Sequence, residues 1–161
     1  MNGWSRWRSG WPRPSKEELP ISGAPDGERG AYVLFVALDR DHLITVGKLG
    51  RIHFPAGTYA YCGSAMAGYR GRVGRHFSRD KKLRWHIDYL LEEAEPVGAF
   101  LVSGGEGVEC ALGRLLSTLE NSEPIKGFGS SDCSCCSHFY RIEESSIPVF
   151  IEKIKAFSFK M

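Results

Sequence analysis

A chain of 161 residues, of which 42% are hydrophobic and 25% charged, has the composition of one globular domain with a core of its own. No run of about 18 apolar residues occurs, and the first residues lack the apolar stretch of a secretory signal, so we expect a cytoplasmic protein without a membrane partner. The net charge of +2 identifies no class of partner, and the distribution of charge carries more information.

Residues 1–29 are rich in Trp, Arg, Pro, Gly and Ser and follow neither a strand nor a helix period. We predict that they form a flexible tail and that the folded domain spans residues 30–161. Trp side chains alternate with Arg in this tail, a pattern that could also stack on bases or lie along phosphates.

Four short strands are predicted at the start of the domain. Ala31–Leu38 is aromatic and β-branched, as in a buried strand, and Leu43–Val46 is predicted to close a hairpin. Arg51–Phe54 alternates polar and apolar residues like an edge strand, and Thr58–Gly63 follows another turn. The opening of the domain is therefore a small, mostly antiparallel sheet.

Helices dominate the remainder of the chain. Apolar residues at helical spacing predict four helices, over Gly68–Arg79, His86–Ala94, Gly107–Leu119 and Ile147–Phe157. Two more strands are predicted at Val97–Ser103 and Phe139–Ile142, and residues 121–137 are expected to form a loop. The fold class is α/β, an α+β sandwich with helices flanking the sheet.

Basic residues concentrate between Gly68 and Trp85. Seven of them, against the single acid Asp80, give this segment a charge of +6. Such a patch is typical of phosphate binding, although a solvated helix face is the alternative. The seven residues are Arg70, Arg72, Arg75, Arg79, Lys81, Lys82 and Arg84.

Several short stretches of this sequence resemble the GIY-YIG nuclease superfamily. They are GAYVL at Gly30–Leu34, YCGSA at Tyr61–Ala65, RGRVGRHF at Arg70–Phe77, WHIDYLL at Trp85–Leu91 and GFGSSDCSC at Gly127–Cys135. Within the superfamily, the combination resembles a small, largely archaeal branch that is sometimes fused to endonuclease III-type glycosylases. The resemblance covers roughly residues 30–142.

The resemblance implies a role for each matching residue. Tyr32 and Tyr61 would face each other across the sheet, and one of them, or His76, would position or deprotonate the attacking water. Arg72 would bind the scissile phosphate, because its guanidinium has a fixed fork of donors. His86 would bind phosphate or stabilise the leaving group.

Glu109 would be the sole protein ligand of a Mg²⁺ or Mn²⁺ ion. It falls about 90° from the centre of the apolar stripe of its helix, at the rim of the buried face. Glu106 falls on the opposite, solvated side. The alternatives are that Glu109 is an ordinary acid near a helix N-terminus, that the tyrosines are core aromatics, and that the histidines are structural.

The sequence departs from the typical signature in four places, one of which is the closing Asn of some members, for which Asn121 and Asp132 are the candidates. Ala31 and Cys62 stand where the signature has Ile, and both are small enough to leave the strands intact. The tyrosines are 29 positions apart because a strand pair, Leu43–Phe54, is inserted between them.

The five cysteines are an odd number in an expected reducing compartment, which argues against a disulfide framework. Cys133, Cys135, Cys136 and His138 offer zinc-ligand types, but zinc is not expected there. The C-x-C-C spacing lacks the gap that lets a turn present two sulfurs, and Cys110 and Cys62 are distant in sequence. A reduced, packed loop is the favoured interpretation.

The sequence therefore predicts a divalent-metal-dependent endonuclease that hydrolyses nucleic-acid phosphodiesters in repair or processing, with DNA rather than RNA as the expected substrate. A repair protein is a candidate partner. Two alternatives stand beside it: a non-catalytic nucleic-acid-binding module, and a protein-interaction or metal-storage domain built around the cysteine loop.

Overall fold

A computed structural model of the chain describes residues 21–23, 29–66, 68–78, 82–130 and 133–156. Within these ranges a six-stranded sheet carries helices on both faces, and two further strands form a separate hairpin. The predicted α/β sandwich with a mostly antiparallel sheet is confirmed.

The strands are β1 (Ile21–Gly23), β2 (Gly30–Leu38), β3 (His42–Thr45), β4 (Arg51–Phe54), β5 (Gly57–Ala65), β6 (Glu95–Ser103), β7 (Glu123–Pro124) and β8 (Phe139–Ile142). The helices are α1 (Tyr69–Phe77), α2 (His86–Leu90), α3 (Val108–Leu116) and α4 (Ser146–Ala156). The sheet order is β1-β6-β2-β5-β8-β7, in which β1 and β6 are parallel and the other pairs antiparallel.

Successive side chains of the central strands point to two different cores. In β2, Tyr32 and Leu34 pack in the core that holds α1 and α2, whereas Val33 and Phe35 pack in the core that holds α3 and α4. Burial on both faces explains why β2 has an unbroken apolar sequence rather than an alternating one. Each fully buried side chain of this size contributes about 1.5–3 kcal/mol.

The predicted pairing of the second strand with the first is wrong. β3 pairs with β4, Leu43 opposite His53, and β2 pairs directly with β5 along its whole length. The reason is burial, because a strand next to β2 must be covered on both faces, whereas β3 alternates between half-buried and exposed residues. The strand pair inserted between the two tyrosines is thus a hairpin outside the main sheet.

The predicted tail contains a strand. Ile21–Gly23 pairs in parallel with β6, Ile21 opposite Ala99, so the sheet begins before Gly30. Three residues are too few to show a period in the sequence, which is why the pattern missed them. The rest of the predicted tail, residues 1–20 and 24–28, lies outside the described residues.

Element ends differ by a few residues from the predicted bounds. The second helix ends at Leu90 and continues as turns, although Leu91 and Ala94 are buried as expected. Pro96, expected to stop that helix, lies in β6 opposite Val36. No helix in the described part of the chain is long and apolar enough to cross a membrane.

Candidate active site

Three aromatic rings meet on the α1 side of the sheet. Tyr32 of β2, Tyr61 of β5 and His76 of α1 have ring centroids 6.4 Å (Tyr32–Tyr61), 5.4 Å (Tyr32–His76) and 5.9 Å (Tyr61–His76) apart. The Tyr32 hydroxyl and His76 Nε2 are 2.5 Å apart and share a hydrogen bond whose direction depends on the histidine tautomer. The sequence-predicted residues Tyr32, Tyr61 and His76 therefore form one cluster.

Two glycines make room for these rings. Gly63 lies opposite Tyr32 in the β2–β5 register, and a Cβ there would come within 2.4 Å of the Tyr32 ring and hydroxyl. Gly129 has φ of +72°, and a Cβ there would lie 3.0 Å from the Tyr61 ring. The Tyr-Cys-Gly sequence of β5 thus supplies one ring and the space for the other.

Arg72 adds a positive charge to the cluster. Attraction from Arg72 and a hydrogen bond with its side chain lower the pKa of Tyr32 against the larger effect of burial, so the guanidinium lies close to the Tyr32 hydroxyl. The Arg72 guanidinium also stacks over the ring of Trp85, 4.2 Å from its centroid. This cation–π contact holds a half-buried arginine in place.

Arg75 stacks over the same Trp85 ring, at 4.5 Å, and is fixed by Asp88. Its Nη2 donates to the buried Asp88 carboxylate at 2.6 Å and to the Lys82 carbonyl at 2.7 Å. The same carboxylate oxygen accepts the backbone N–H groups of Arg84 and Trp85. Arg75, expected to contact nucleic acid, is thus held by contacts within the protein.

Trp85 and Asp88 were not among the predicted site residues. Both lie in the WHIDYLL stretch, yet a lone Trp and a lone Asp at a helix start look ordinary in sequence. Their importance depends on α2 packing beside α1, which brings Trp85 under two guanidinium groups.

Glu109 approaches the cluster from the other face of the sheet. It lies in the first turn of α3, and its side chain is 34% exposed. Burial raises the pKa of Tyr61, and the Glu109 charge is the next largest cause. Glu109 also contributes to the raised pKa of Cys62, which neighbours Tyr61 but points to the opposite core. The Glu109 charge therefore acts near Tyr61 and Cys62, where the pairing of β8 with β5 ends.

Neither phenol of the cluster is prepared to act as a base by itself. Burial, then the neighbouring Tyr61, raises the pKa of Tyr32 well above its usual value, and Arg72 opposes this only in part. At neutral pH both hydroxyls are protonated and serve as hydrogen-bond donors.

His86 lies on the loop side of the cluster. Its Nδ1 accepts the Gly129 backbone N–H at 2.9 Å, and its ring packs against Phe128. Burial lowers the pKa of His86, so the ring is neutral and its proton sits on Nε2, the other nitrogen. The Nε2–H group of His86 is therefore available to donate a hydrogen bond.

The remaining basic residues have different surroundings. Lys82 and Arg84 are exposed next to α2. Arg70 lies in the first turn of α1, and its side chain is outside the described part, as are Arg79 and Lys81.

The cysteine group has a different membership from the one weighed in sequence. Cys110 of α3 joins Cys133, Cys135 and His138, and the ligand atoms of these four residues lie within 4.8 Å of one another. Cys136 is exposed and is not in this group. All five cysteines are free thiols, and burial, with the adjacent thiols of Cys135 and Cys133, raises the pKa of Cys110 to about 12.

The chain belongs to the family described as domain of unknown function DUF123, whose family model matches residues 31–158. No curated protein and no solved structure matches the chain.

Proposed function

We propose that this member of the DUF123 family is a divalent-metal-dependent endonuclease that hydrolyses nucleic-acid phosphodiester bonds. One observation carries the proposal: Tyr32, Tyr61, His76 and Arg72 meet on one face of the sheet, and the charge of Glu109, on a helix of the opposite face, acts on both tyrosines. The resemblance to the GIY-YIG superfamily supports the same function.

The Glu109 side chain suits a magnesium or manganese ion. It is one carboxylate, about one-third exposed, and its charge acts on the buried hydroxyls of Tyr32 and Tyr61. Mg²⁺ keeps several of its waters and accepts binding through one or two carboxylates, so a single glutamate is a sufficient protein ligand. When bound, such an ion supplies positive charge at the phosphate and a water of lowered pKa.

The side chains of the protein would bind the phosphate, orient the attacking water and transfer protons. Arg72, which stacks on Trp85, would bind a nonbridging phosphate oxygen and the charge that develops on it. Tyr61 and Tyr32, both protonated, orient the attacking water by hydrogen bonds, and His76 is the group that takes a proton through the Tyr32 hydroxyl. His86 donates from Nε2 to a phosphate or leaving-group oxygen.

The exposed cations beside this cluster support a nucleic-acid substrate. Lys82 and Arg84 are exposed in the short segment that leads into Trp85, the residue on which Arg72 stacks, so surface positive charge lies next to the cluster. Such charge binds phosphates without reading sequence, and its contribution falls as salt rises. DNA in repair or processing is the substrate we propose, with a repair protein as partner, in the cytoplasm.

A non-catalytic nucleic-acid-binding module is the second candidate. The observation in its favour is the burial of the cluster: Tyr32 and His76 are fully buried, and burial raises the pKa of both phenols. In that case Arg72, Lys82 and Arg84 would bind phosphate, and Glu109 would serve only the fold.

The deciding experiment compares Glu109→Gln with Glu106→Gln. Both changes remove one carboxylate charge near the start of α3, but Glu106 is exposed and belongs to the solvated side of that turn. Labelled duplex, branched and single-stranded DNA and RNA are incubated with each protein, with and without Mg²⁺ or Mn²⁺, and binding is measured in parallel.

We expect metal-dependent cleavage by the wild type and Glu106→Gln, and loss of cleavage with retained binding in Glu109→Gln. Cleavage by Glu109→Gln at the wild-type rate would refute the metal assignment. Salt-sensitive binding by all three proteins without cleavage would establish the binding module instead.

A further inference from the structure

Four side chains of metal-ligand type come together between the first turn of α3 and the segment before β8. Cys110 follows Glu109 in α3, and Cys133, Cys135 and His138 come from the segment that leads into β8. Their ligand atoms lie within 4.8 Å of one another. Three thiols and one imidazole are a ligand set that structural zinc sites use.

The distances agree with tetrahedral coordination. Zn–S bonds of about 2.3 Å and a Zn–N bond of about 2.0–2.1 Å place a sulfur and a nitrogen about 3.6 Å apart at the tetrahedral angle. His138 Nε2 lies 3.6 Å from Cys110 Sγ and 3.5 Å from Cys133 Sγ. These separations match one shared ion between the groups.

The histidine is held in the orientation that such a site needs. The His138 backbone N–H donates to the Phe128 carbonyl, and its carbonyl accepts the Cys62 N–H. Gly113 of α3 has no Cβ, and an added one would lie 3.3 Å from Cδ2 of the His138 ring. The ring therefore packs directly against the α3 backbone with Nε2 toward the sulfurs.

The carboxylate of Glu109 lies near the other ring nitrogen of His138. Glu109 Oε2 is 3.9 Å from Nδ1 of His138, the nitrogen that does not face the sulfurs. The contact is an ion-pair neighbourhood and not a hydrogen bond, because 3.9 Å exceeds the hydrogen-bonding distance and Nδ1 has no hydrogen-bond partner among the described residues. The group of four is therefore distinguished by the separations of its ligand atoms and by the packing of the His138 ring against α3.

From these contacts we propose that Cys110, Cys133, Cys135 and His138 bind one structural zinc ion. All four positions would be filled by protein, which leaves none for a substrate or a reactive water. The ion would fasten the segment from Cys133 to His138 onto the start of α3 and so fix the helix turn that carries Glu109. This site does not depend on the proposed nuclease activity.

The sequence argument against zinc concerned ligands that are neighbours in the chain. Cys133 and Cys135 keep the short spacing, but the structure adds Cys110 from a helix and His138 from the residue before β8, so the site does not depend on neighbouring cysteines alone. Cys136 becomes the matched control, since it is adjacent to Cys135 and outside the group of four.

The test measures metal content under reducing, oxygen-free conditions. Wild type, Cys110→Ser and Cys136→Ser are purified without added chelator, and their zinc is quantified. Each apo-protein is then titrated with Co²⁺, whose visible bands identify tetrahedral thiolate coordination. We expect about one equivalent of zinc in the wild type and Cys136→Ser, and less than about 0.2 in Cys110→Ser.

Two results would overturn the proposal. One is the absence of both zinc and tetrahedral cobalt bands in the reduced wild type, a measurement that does not depend on the folding of any variant. The other is equal metal loss in Cys136→Ser and Cys110→Ser. Neither readout uses cleavage, so failure of the nuclease proposal would leave the zinc result intact, and the reverse also holds.

Discussion

The hydroxyl of Tyr32 lies 2.5 Å from Nε2 of His76, and both side chains are fully buried. The pair joins the central strand β2 to helix α1, 44 positions later in the chain. It is therefore a structural bond between layers of the fold as well as the centre of the proposed site.

Replacing Tyr32 by Phe removes this hydrogen bond and keeps the ring. Loss of a buried hydrogen bond costs about 1–3 kcal/mol, so we expect the free energy of unfolding in urea to fall by that amount. If the proposed function is right, Tyr32→Phe should also lower the cleavage rate. Tyr89→Phe, on the half-buried α2 ring, is the control and should change neither quantity much. Unchanged stability in Tyr32→Phe would contradict the role of the bond.

Gly63→Ala should destabilise the protein because the new Cβ would lie 2.4 Å from the Tyr32 ring, which has no room to retreat in the core. Overpacking of this kind costs about 1–3 kcal/mol. Gly71→Ala is the matched control, because a Cβ on that exposed helical glycine meets nothing within 4 Å. It should be neutral or stabilise by about 0.4–1 kcal/mol. Thermal unfolding of both variants tests the contrast, and equal effects would disprove it.

Arg72→Ala is expected to slow cleavage by about 10²-fold or more, because the guanidinium is the cation held at the Tyr32 hydroxyl. Arg84→Ala removes an exposed charge and should weaken binding and its salt dependence while leaving the single-turnover rate at saturating substrate unchanged. Single-turnover kinetics separate the two effects. A larger rate loss in Arg84→Ala than in Arg72→Ala would move the chemistry away from Arg72.

Asp88→Asn should be the most damaging single change near α2. The fully buried carboxylate faces Arg75 at 2.6 Å and accepts two backbone N–H groups at the start of the helix. Removing one charge of a buried pair costs on the order of 3 kcal/mol. Glu152→Gln breaks an exposed pair with Lys155 and should cost less than about 0.5 kcal/mol. Chemical denaturation measures both, and similar values would show that the Arg75 pair contributes little.

Stability should fall at alkaline pH. Burial raises the pKa of Tyr59 to about 12, and its hydroxyl donates to the Pro55 carbonyl. Because the folded state holds this proton more tightly than the unfolded chain, whose tyrosines titrate near 10, the stabilisation is complete below about pH 10 and is lost as pH rises toward 12. Urea unfolding of wild type and Tyr59→Phe between about pH 9 and pH 11.5 should give a shallower decline in the variant. If the free energies of unfolding of the two proteins fell in parallel with pH, the raised pKa of Tyr59 would be contradicted.

Local sequence patterns determined the elements of this fold. The apolar run of β2 and the stripes of α1 and α3 predicted a sheet between helices, because burial on both faces leaves an unbroken apolar run and burial on one face leaves a period. The signature stretches, by resemblance, also predicted that Tyr32 and Tyr61 would meet, and the ring contact between them agrees.

Contacts between distant segments were decided only by the tertiary structure. The strand β1 has three residues and no period, and β3 was assigned the wrong partner because pairing depends on what covers each face. Trp85 lies under two arginines, and Cys110 lies beside His138, because helices pack against a sheet and a loop that the chain forms elsewhere. Sequence spacing sets which residues can share one helix or strand, whereas the packing of the layers sets which residues share a site.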